Sequence, residues 1–188
     1  MNNNKQQYTD VKNELSFKEE VFELLDTAVK TVVVALLVFT FVFSLSTVKG
    51  SSMLPTLQNN NRVLVYSMFY KPKSKDVVVI TQPNYLDHIL VKRVIATEGQ
   101  TVFVDAEAGK VFVDGEELNE PYINEITKTA GDIKYPVTVP KDYIFAMGDN
   151  RNASLDSRYD SIGMINKNYV KGKVLFRFFP INKIGVIK

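Results

Sequence analysis

Ser52 and Lys92 are the two side chains of this sequence whose types and settings best suit nucleophilic chemistry. A serine hydroxyl is a poor nucleophile until a neighbouring base takes its proton, so the base matters as much as the serine. The chain has no cysteine and one histidine, His88. A thiolate nucleophile and a disulfide framework are therefore excluded, and the ligands for a zinc site are too few. The base has to be His88, a lysine or a carboxylate. Ser52 stands in Gly50-Ser51-Ser52-Met53-Leu54-Pro55-Thr56. Gly50 permits close backbone approach and Pro55 fixes the chain beyond, which suits a rigid turn presenting the hydroxyl. Taken alone, the same residues also describe an ordinary surface loop.

Lys92 lies in the apolar segment Ile89-Leu90-Val91-Lys92-Arg93-Val94-Ile95-Ala96. Alternate residues of a strand share a face, which puts Lys92 with Leu90, Val94 and Ala96, and Arg93 with Val91 and Ile95. Burial among apolar neighbours disfavours the ammonium and lowers its pKa. Bringing a lysine from about 10.4 towards neutrality takes roughly 3–4 kcal/mol, within the reach of burial. The competing picture is an edge lysine whose amine reaches solvent. His88 next to Asp87 invites a Ser-His-Asp triad, but adjacent strand residues point apart and Asp87 is badly placed to orient that imidazole.

A third polar segment, Gly148-Asp149-Asn150-Arg151-Asn152-Ala153-Ser154-Leu155-Asp156-Ser157-Arg158, follows an apolar strand. Ser154 offers a hydroxyl to orient a neighbour, and Asp156 with Arg158 can brace the loop as an ion pair. It does not read as a calcium loop, because the third and fifth positions from Asp149 are Arg151 and Ala153.

The elements that must position these groups divide the chain in three. Residues 1–29 form a polar tail, amphipathic from Phe17 through Val21, Leu24, Leu25 and Ala28. Residues 31–48 carry no charge and are bracketed by Lys30 and Lys49. We expect residues 30–48 to form one transmembrane helix, near the lower length limit for a bilayer core of about 30 Å. A cleavable signal peptide is the alternative suggested by Ser44-Leu45-Ser46, against which stands the long acidic leader. A buried core helix fits poorly, because phenylalanine and valine surround all its faces. Lys12, Lys18 and Lys30 before the run, against Lys49 and Arg62 after it, favour a cytoplasmic N-terminus and an exported body.

Residues 49–188 then change to short β-branched and aromatic runs between turns. Strands are expected at Arg62–Tyr66, Asp76–Thr81, Ile89–Ala96, Thr101–Val104, Lys110–Val113, Val137–Val139, Tyr143–Met147 and Gly172–Phe179, with turns at Ala108-Gly109 and Asp114-Gly115. The body is thus mostly antiparallel β. A net charge of +2 with no basic, aromatic-interleaved block gives no support for nucleic-acid binding.

In combination and in this order, Ser-Met-x-Pro-Thr at 52–56, Lys-Arg-Val-Ile at 92–95 and Gly-Asp-Asn-Arg-x-x-Ser-x-Asp-Ser-Arg at 148–158 resemble the type I signal peptidases, in particular their Gram-positive bacterial branch. The resemblance implies a membrane-anchored serine endopeptidase with a barrel-like β body, working without metal or cofactor. It implies Ser52 as nucleophile, Lys92 as general base and Ser154 as the lysine's support, with Gly148, Asp149, Asp156 and Arg158 shaping the loop. Substrate would run along Asp76, Val77, Val78 and Val79 and meet Leu90. Partners would be signal peptides of secretory preproteins, the bilayer and nearby export machinery.

Five positions depart from the family pattern. Gly50 replaces an oxyanion-binding serine of the Gram-negative branch, shifting that role to backbone N–H groups of Ser52 and Gly50. Leu90 replaces a frequent tyrosine, Lys75 a frequent glycine, and Thr97-Glu98 the usual Leu-Pro. Apolar Leu54, Met68, Phe69 and Tyr70 either dip into lipid or pack in the core. A self-cleaving Ser-Lys repressor would need a DNA-binding head, and an inactive signal-peptide binder should lack Ser52, Lys92 or Ser154.

Overall fold

A computed structural model describes residues 2–81 and 89–187, with side chains from Lys18 onward; Asp87 and His88 lie outside the described residues. The chain divides into two units, one ending at Val42 and one spanning Phe43–Lys188. The first is a single helix, α1 (Asn2–Val42). Within it Lys18–Val42 is long and apolar enough to cross a bilayer. At 1.5 Å per residue those 25 residues reach about 37 Å, more than a hydrocarbon core of about 30 Å. Lys30, inside this stretch, is paired one turn back with Asp26 at 2.6 Å.

The helix expected over 30–48 stops at Val42, and its last residues become a strand, β1 (Phe43–Thr47). The sequence there, Phe-Ser-Leu-Ser-Thr, alternates large apolar and small hydroxyl residues, which is a period of two rather than 3.6. Its partner is β2 (Arg62–Tyr66), in register from Phe43 opposite Tyr66 to Thr47 opposite Arg62. The lack of charge across 31–48 conceals this change of period.

Among the described residues ten further strands follow. They are β3 (Val77–Ile80), β4 (Leu90–Thr97), β5 (Thr101–Asp105), β6 (Lys110–Val113), β7 (Glu116–Glu117), β8 (Val137–Thr138), β9 (Tyr143–Met147), β10 (Ile165–Asn166), β11 (Val170–Phe179) and β12 (Gly185–Val186). The larger sheet runs β1-β2-β11-β3-β4-β9-β10 with β12 beside β11, curls as a half-barrel, and has only antiparallel pairings. The smaller sheet, β7-β6-β5-β8, is built from the segment between β4 and β9. Asp114 and Gly115 both have positive φ (54° and 85°), the conformation a two-residue hairpin turn between β6 and β7 requires.

Three apolar clusters hold the body together. One joins Val48, Met53, Leu57, Val63, Val65, Val77, Val79 and Val91. The second fills the space between the smaller sheet and the far end of β4. The third lies on the lysine's own face of β3, β4 and β9, with Val78, Val94, Ile144 and Ala146. A bulge against β9 falls between Val94 and Ala96. It moves Ala96 off the face expected for Lys92 and into the second cluster with Phe145 and Met147. Leu90 and Val94 stay with Lys92, whose neighbour across β3 is Val78.

Candidate active site

Lys92 is buried in the middle of β4, with 2% of its surface exposed. Its Nζ lies 2.8 Å from Ser52 Oγ and donates to Ser154 Oγ at 3.1 Å. Three residues separated by 40 and 62 positions thus meet at one amine. Burial pushes the Lys92 pKa down to about 8; the Asp156 carboxylate pulls the other way, Arg158 adds to the lowering, and Asp149 again opposes it. Because Arg158 is bound to Asp156 through Nε and Nη2, both at 2.8 Å, much of that carboxylate's pull on the lysine is offset. Burial therefore decides the outcome.

Ser52 is held on its turn by its downstream neighbours. Met53 and Leu57 are buried in the first cluster and anchor the segment from below. Gly50, at φ +85°, opens the turn in a conformation that suits glycine. The Ser52 carbonyl accepts from the Asn150 backbone N–H at 3.0 Å, and the Ser51 carbonyl from Asn150 Nδ2 at 3.1 Å. Thr56 Oγ1 donates to Asp149. The serine turn and the 148–158 loop are thus tied at three points, and Ser51 itself is exposed and apart from the lysine.

The loop is braced from within. Asp156, fully buried, accepts from the Gly148 N–H at 3.0 Å as well as from Arg158. Arg158 Nη2 donates in turn to the carbonyls of Arg151 and Ser154, at 2.7 and 3.4 Å. A Cβ at Gly148 would collide with Ser154 Oγ and with the Ser52 carbonyl oxygen, so only glycine lets these two segments meet.

Two expected roles are placed otherwise, those of Gly50 and of Asp76–Val79. The Gly50 N–H donates to Asn59 Oδ1 at 3.0 Å and is already engaged, which removes it as an oxyanion donor. Among the described residues the Ser52 N–H has no hydrogen-bond partner. The second case is Asp76–Val79, expected to offer main-chain bonds to a substrate. From Val78 to Ile80 the backbone of β3 is paired on both edges, with β4 and with β11, and Val77, Val78 and Val79 are buried in the core. The Asp76 carboxylate is bound by Tyr70 Oη at 2.7 Å and by Lys173. The open edge lies next door: β9 pairs with β4 only from Arg93 onward, leaving Leu90–Lys92 with no second strand among the described residues.

Arg93, Thr56 and Asn150 escape the reading of the sequence. Arg93 is almost fully buried, binds Asp149 through Nε and Nη2 at 2.8 and 2.7 Å, and donates to the Lys75 carbonyl at 2.8 Å. A cation on an apolar strand face demands such a partner, which is the signal that marks it. Lys75 holds its carbonyl there in a left-handed backbone conformation, φ +72°, which a glycine would adopt without strain.

A hydroxyl in contact with a buried amine whose pKa burial lowers, on an antiparallel β body, has the composition of a serine hydrolase site with lysine where histidine is usual. Comparison with known proteins narrows the class. The family described as signal peptidase, peptidase S26, matches residues 21–179. Signal peptidase I of Bacillus licheniformis is 38% identical over 178 residues, covering 89% of this chain and 93% of the relative. Signal peptidase I S of Bacillus subtilis (strain 168) is 35% identical, covering 90% and 95%. A crystal structure of a signal peptidase I from Enterococcus faecalis V583 aligns with 55% of this chain and 97% of that one, at 25% identity and a TM-score of 0.44. The chain belongs to the signal peptidase family, peptidase S26, and is a serine peptidase.

Proposed function

We propose that this protein removes N-terminal signal peptides from exported preproteins by acyl transfer to Ser52 and then to water, with Lys92 as the general base. The observation that carries the reading is the buried Lys92 amine, 2.8 Å from Ser52 Oγ and 3.1 Å from Ser154 Oγ. Neutral Lys92 takes the Ser52 proton as Oγ attacks the scissile carbonyl, while its own N–H stays on Ser154. The Ser52 N–H binds the oxyanion. Collapse breaks the C–N bond, and the lysine ammonium returns the proton to the leaving amine, which departs as the new N-terminus. Lys92 then deprotonates a water that attacks the acyl-enzyme, and the proton goes back to Ser52 Oγ.

The substrate backbone lies extended along the open Leu90–Lys92 edge of β4, adding a strand where β9 has turned away. Lys18–Val42 anchors the protein in the cell membrane, with the N-terminus cytoplasmic and the body on the far side, close to the export machinery. The deciding experiment incubates the purified protein with a preprotein bearing an Ala-x-Ala site. Cleavage is expected from the wild type and from neither Ser52→Ala nor Lys92→Ala, with both variants folded. Cutting at the normal rate by Ser52→Ala would refute the reading.

A further inference from the structure

Asn119-Glu120-Pro121-Tyr122, in the connection between β7 and β8, has no assigned role, yet its two functional side chains end beside the active-site loop. The Tyr122 ring has the Arg93 guanidinium 3.9 Å from its centroid on one side and that of Arg151 at 5.9 Å. Glu120 takes Arg151 in a two-point grip through Nη1 and Nη2, and Tyr122 Oη donates to Glu120 Oε1 at 3.1 Å. Arg151 is almost fully buried, and its Nε donates to the Gly148 carbonyl at 3.1 Å. Arg93 is the residue after Lys92 and holds Asp149, which receives Thr56 from the serine turn.

We infer that Glu120 and Tyr122 form a clamp that positions the catalytic pair: they fix two arginines whose other contacts locate the serine turn, the Gly148 backbone and the strand carrying Lys92. This rests on the Ser52–Lys92 mechanism proposed for the site. A guanidinium stacked on an aromatic face and held by a carboxylate loses little further freedom when it also binds a backbone group, so the arrangement is pre-organised. The clamp touches neither the hydroxyl nor the amine; it acts through Arg93 and Arg151. The charged groups bearing on Lys92 are Asp156, Arg158 and Asp149. Loosening Arg93 leaves Asp149 less compensated and admits water, and both changes raise the lysine pKa.

The test uses the full chain in detergent with an Ala-x-Ala peptide, comparing wild type, Tyr122→Leu, Tyr122→Met, Tyr122→Phe and Arg93→Lys. Small displacements of catalytic groups cost on the order of 10²-fold. Tyr122→Leu is accordingly expected to lower kcat by roughly 10- to 100-fold with KM within about twofold. It should also move the acid limb of the rate profile upward, while Tyr122→Phe, which keeps the ring and loses only the bond to Glu120, falls between Tyr122→Leu and wild type. Combining Tyr122→Leu with Arg93→Lys should cost less than the two single effects together, because both break one contact. Unchanged kcat and acid limb in Tyr122→Leu overturns the inference. So does a loss that merely tracks the folded fraction by active-site titration, the remaining molecules having wild-type kcat and profile. If Tyr122→Leu does not fold, Tyr122→Met is read by the same two criteria. An inactive wild type, or an active Ser52→Ala, would instead sink the Ser52–Lys92 mechanism.

Discussion

At the scale of single residues, the proposed mechanism makes the pKa of Lys92 govern the rate, and the same pKa bears on stability. In the proposed mechanism the neutral amine is the base, so kcat/KM should rise with pH along an acid limb near 8 and then level off. A limb near 10 would mean that the amine is solvated. The same burial acts on stability with a definite sign. An unfolded lysine titrates at 10.5 and the folded one at about 8, so between these pH values the unfolded chain holds a proton that the folded chain has released. Stability therefore rises with pH through that window, and the cost of the buried charge is full below pH 8. Replacing Lys92 by methionine, which keeps the volume and drops the charge, should stabilise the protein at pH 7 by up to roughly 3 kcal/mol. That gain should shrink as pH approaches 10.5. Urea unfolding of wild type and Lys92→Met at pH 7 and pH 10 measures it, and an equal difference at both pH values would contradict it. The apolar strand neighbours of Lys92, Leu90 and Val94, pointed to its burial, but the sequence left an edge lysine open as well. The partners of Arg93 and the capture of the Gly50 N–H by Asn59 were not legible there, because both are settled by chain segments distant in sequence or by side-chain geometry inside a turn.

At the scale of elements, alternation of residue types found the strands of four or more residues except β1, and among the two-residue strands only β8. Arg62–Tyr66, Lys110–Val113 and Tyr143–Met147 carry a clear β signal and fall where expected. Glu116–Glu117, Ile165–Asn166 and Gly185–Val186 are two residues each, too short to show a period, and exist because a neighbouring strand offers its edge. Which strand is open to a substrate was likewise invisible, since edge status belongs to sheet order: β3 is enclosed and the start of β4 is not. The packing of the 148–158 loop against the serine turn gives a sharper check. Gly148→Ala places a methyl where Ser154 Oγ and the Ser52 carbonyl lie, so one of the two must move. Overpacking of this kind costs about 1–3 kcal/mol in stability. The displaced hydroxyls should lower kcat by roughly 100-fold or more while KM changes little. Single-turnover kinetics on the folded variant would show it, and wild-type kcat in Gly148→Ala would mean that the two segments do not constrain the dyad.

At the scale of the whole molecule, the division at Val42 separates a helix long and apolar enough to cross a bilayer from the candidate site. Every residue of the candidate site and both sheets belong to the unit Phe43–Lys188, while the membrane-length helix contributes none of them. Confining enzyme and substrate to one bilayer surface raises their effective concentration without any added contact, by factors on the order of 10²–10⁴ where geometry permits. A chain beginning near Phe43 should therefore keep its β fold and hydrolyse a water-soluble Ala-x-Ala peptide within a few-fold of the intact protein. The cut has to leave β1 whole, because β1 pairs along its full length with β2 and shares the serine's end of the sheet. Against a preprotein held in lipid vesicles the truncated form should fall behind by about 10²-fold or more, and a heterologous membrane helix fused before Phe43 should restore the rate. Equal slowing on both substrates would show that α1 supports the catalytic body directly, and no slowing on either would remove the anchor from the account of how substrate is met.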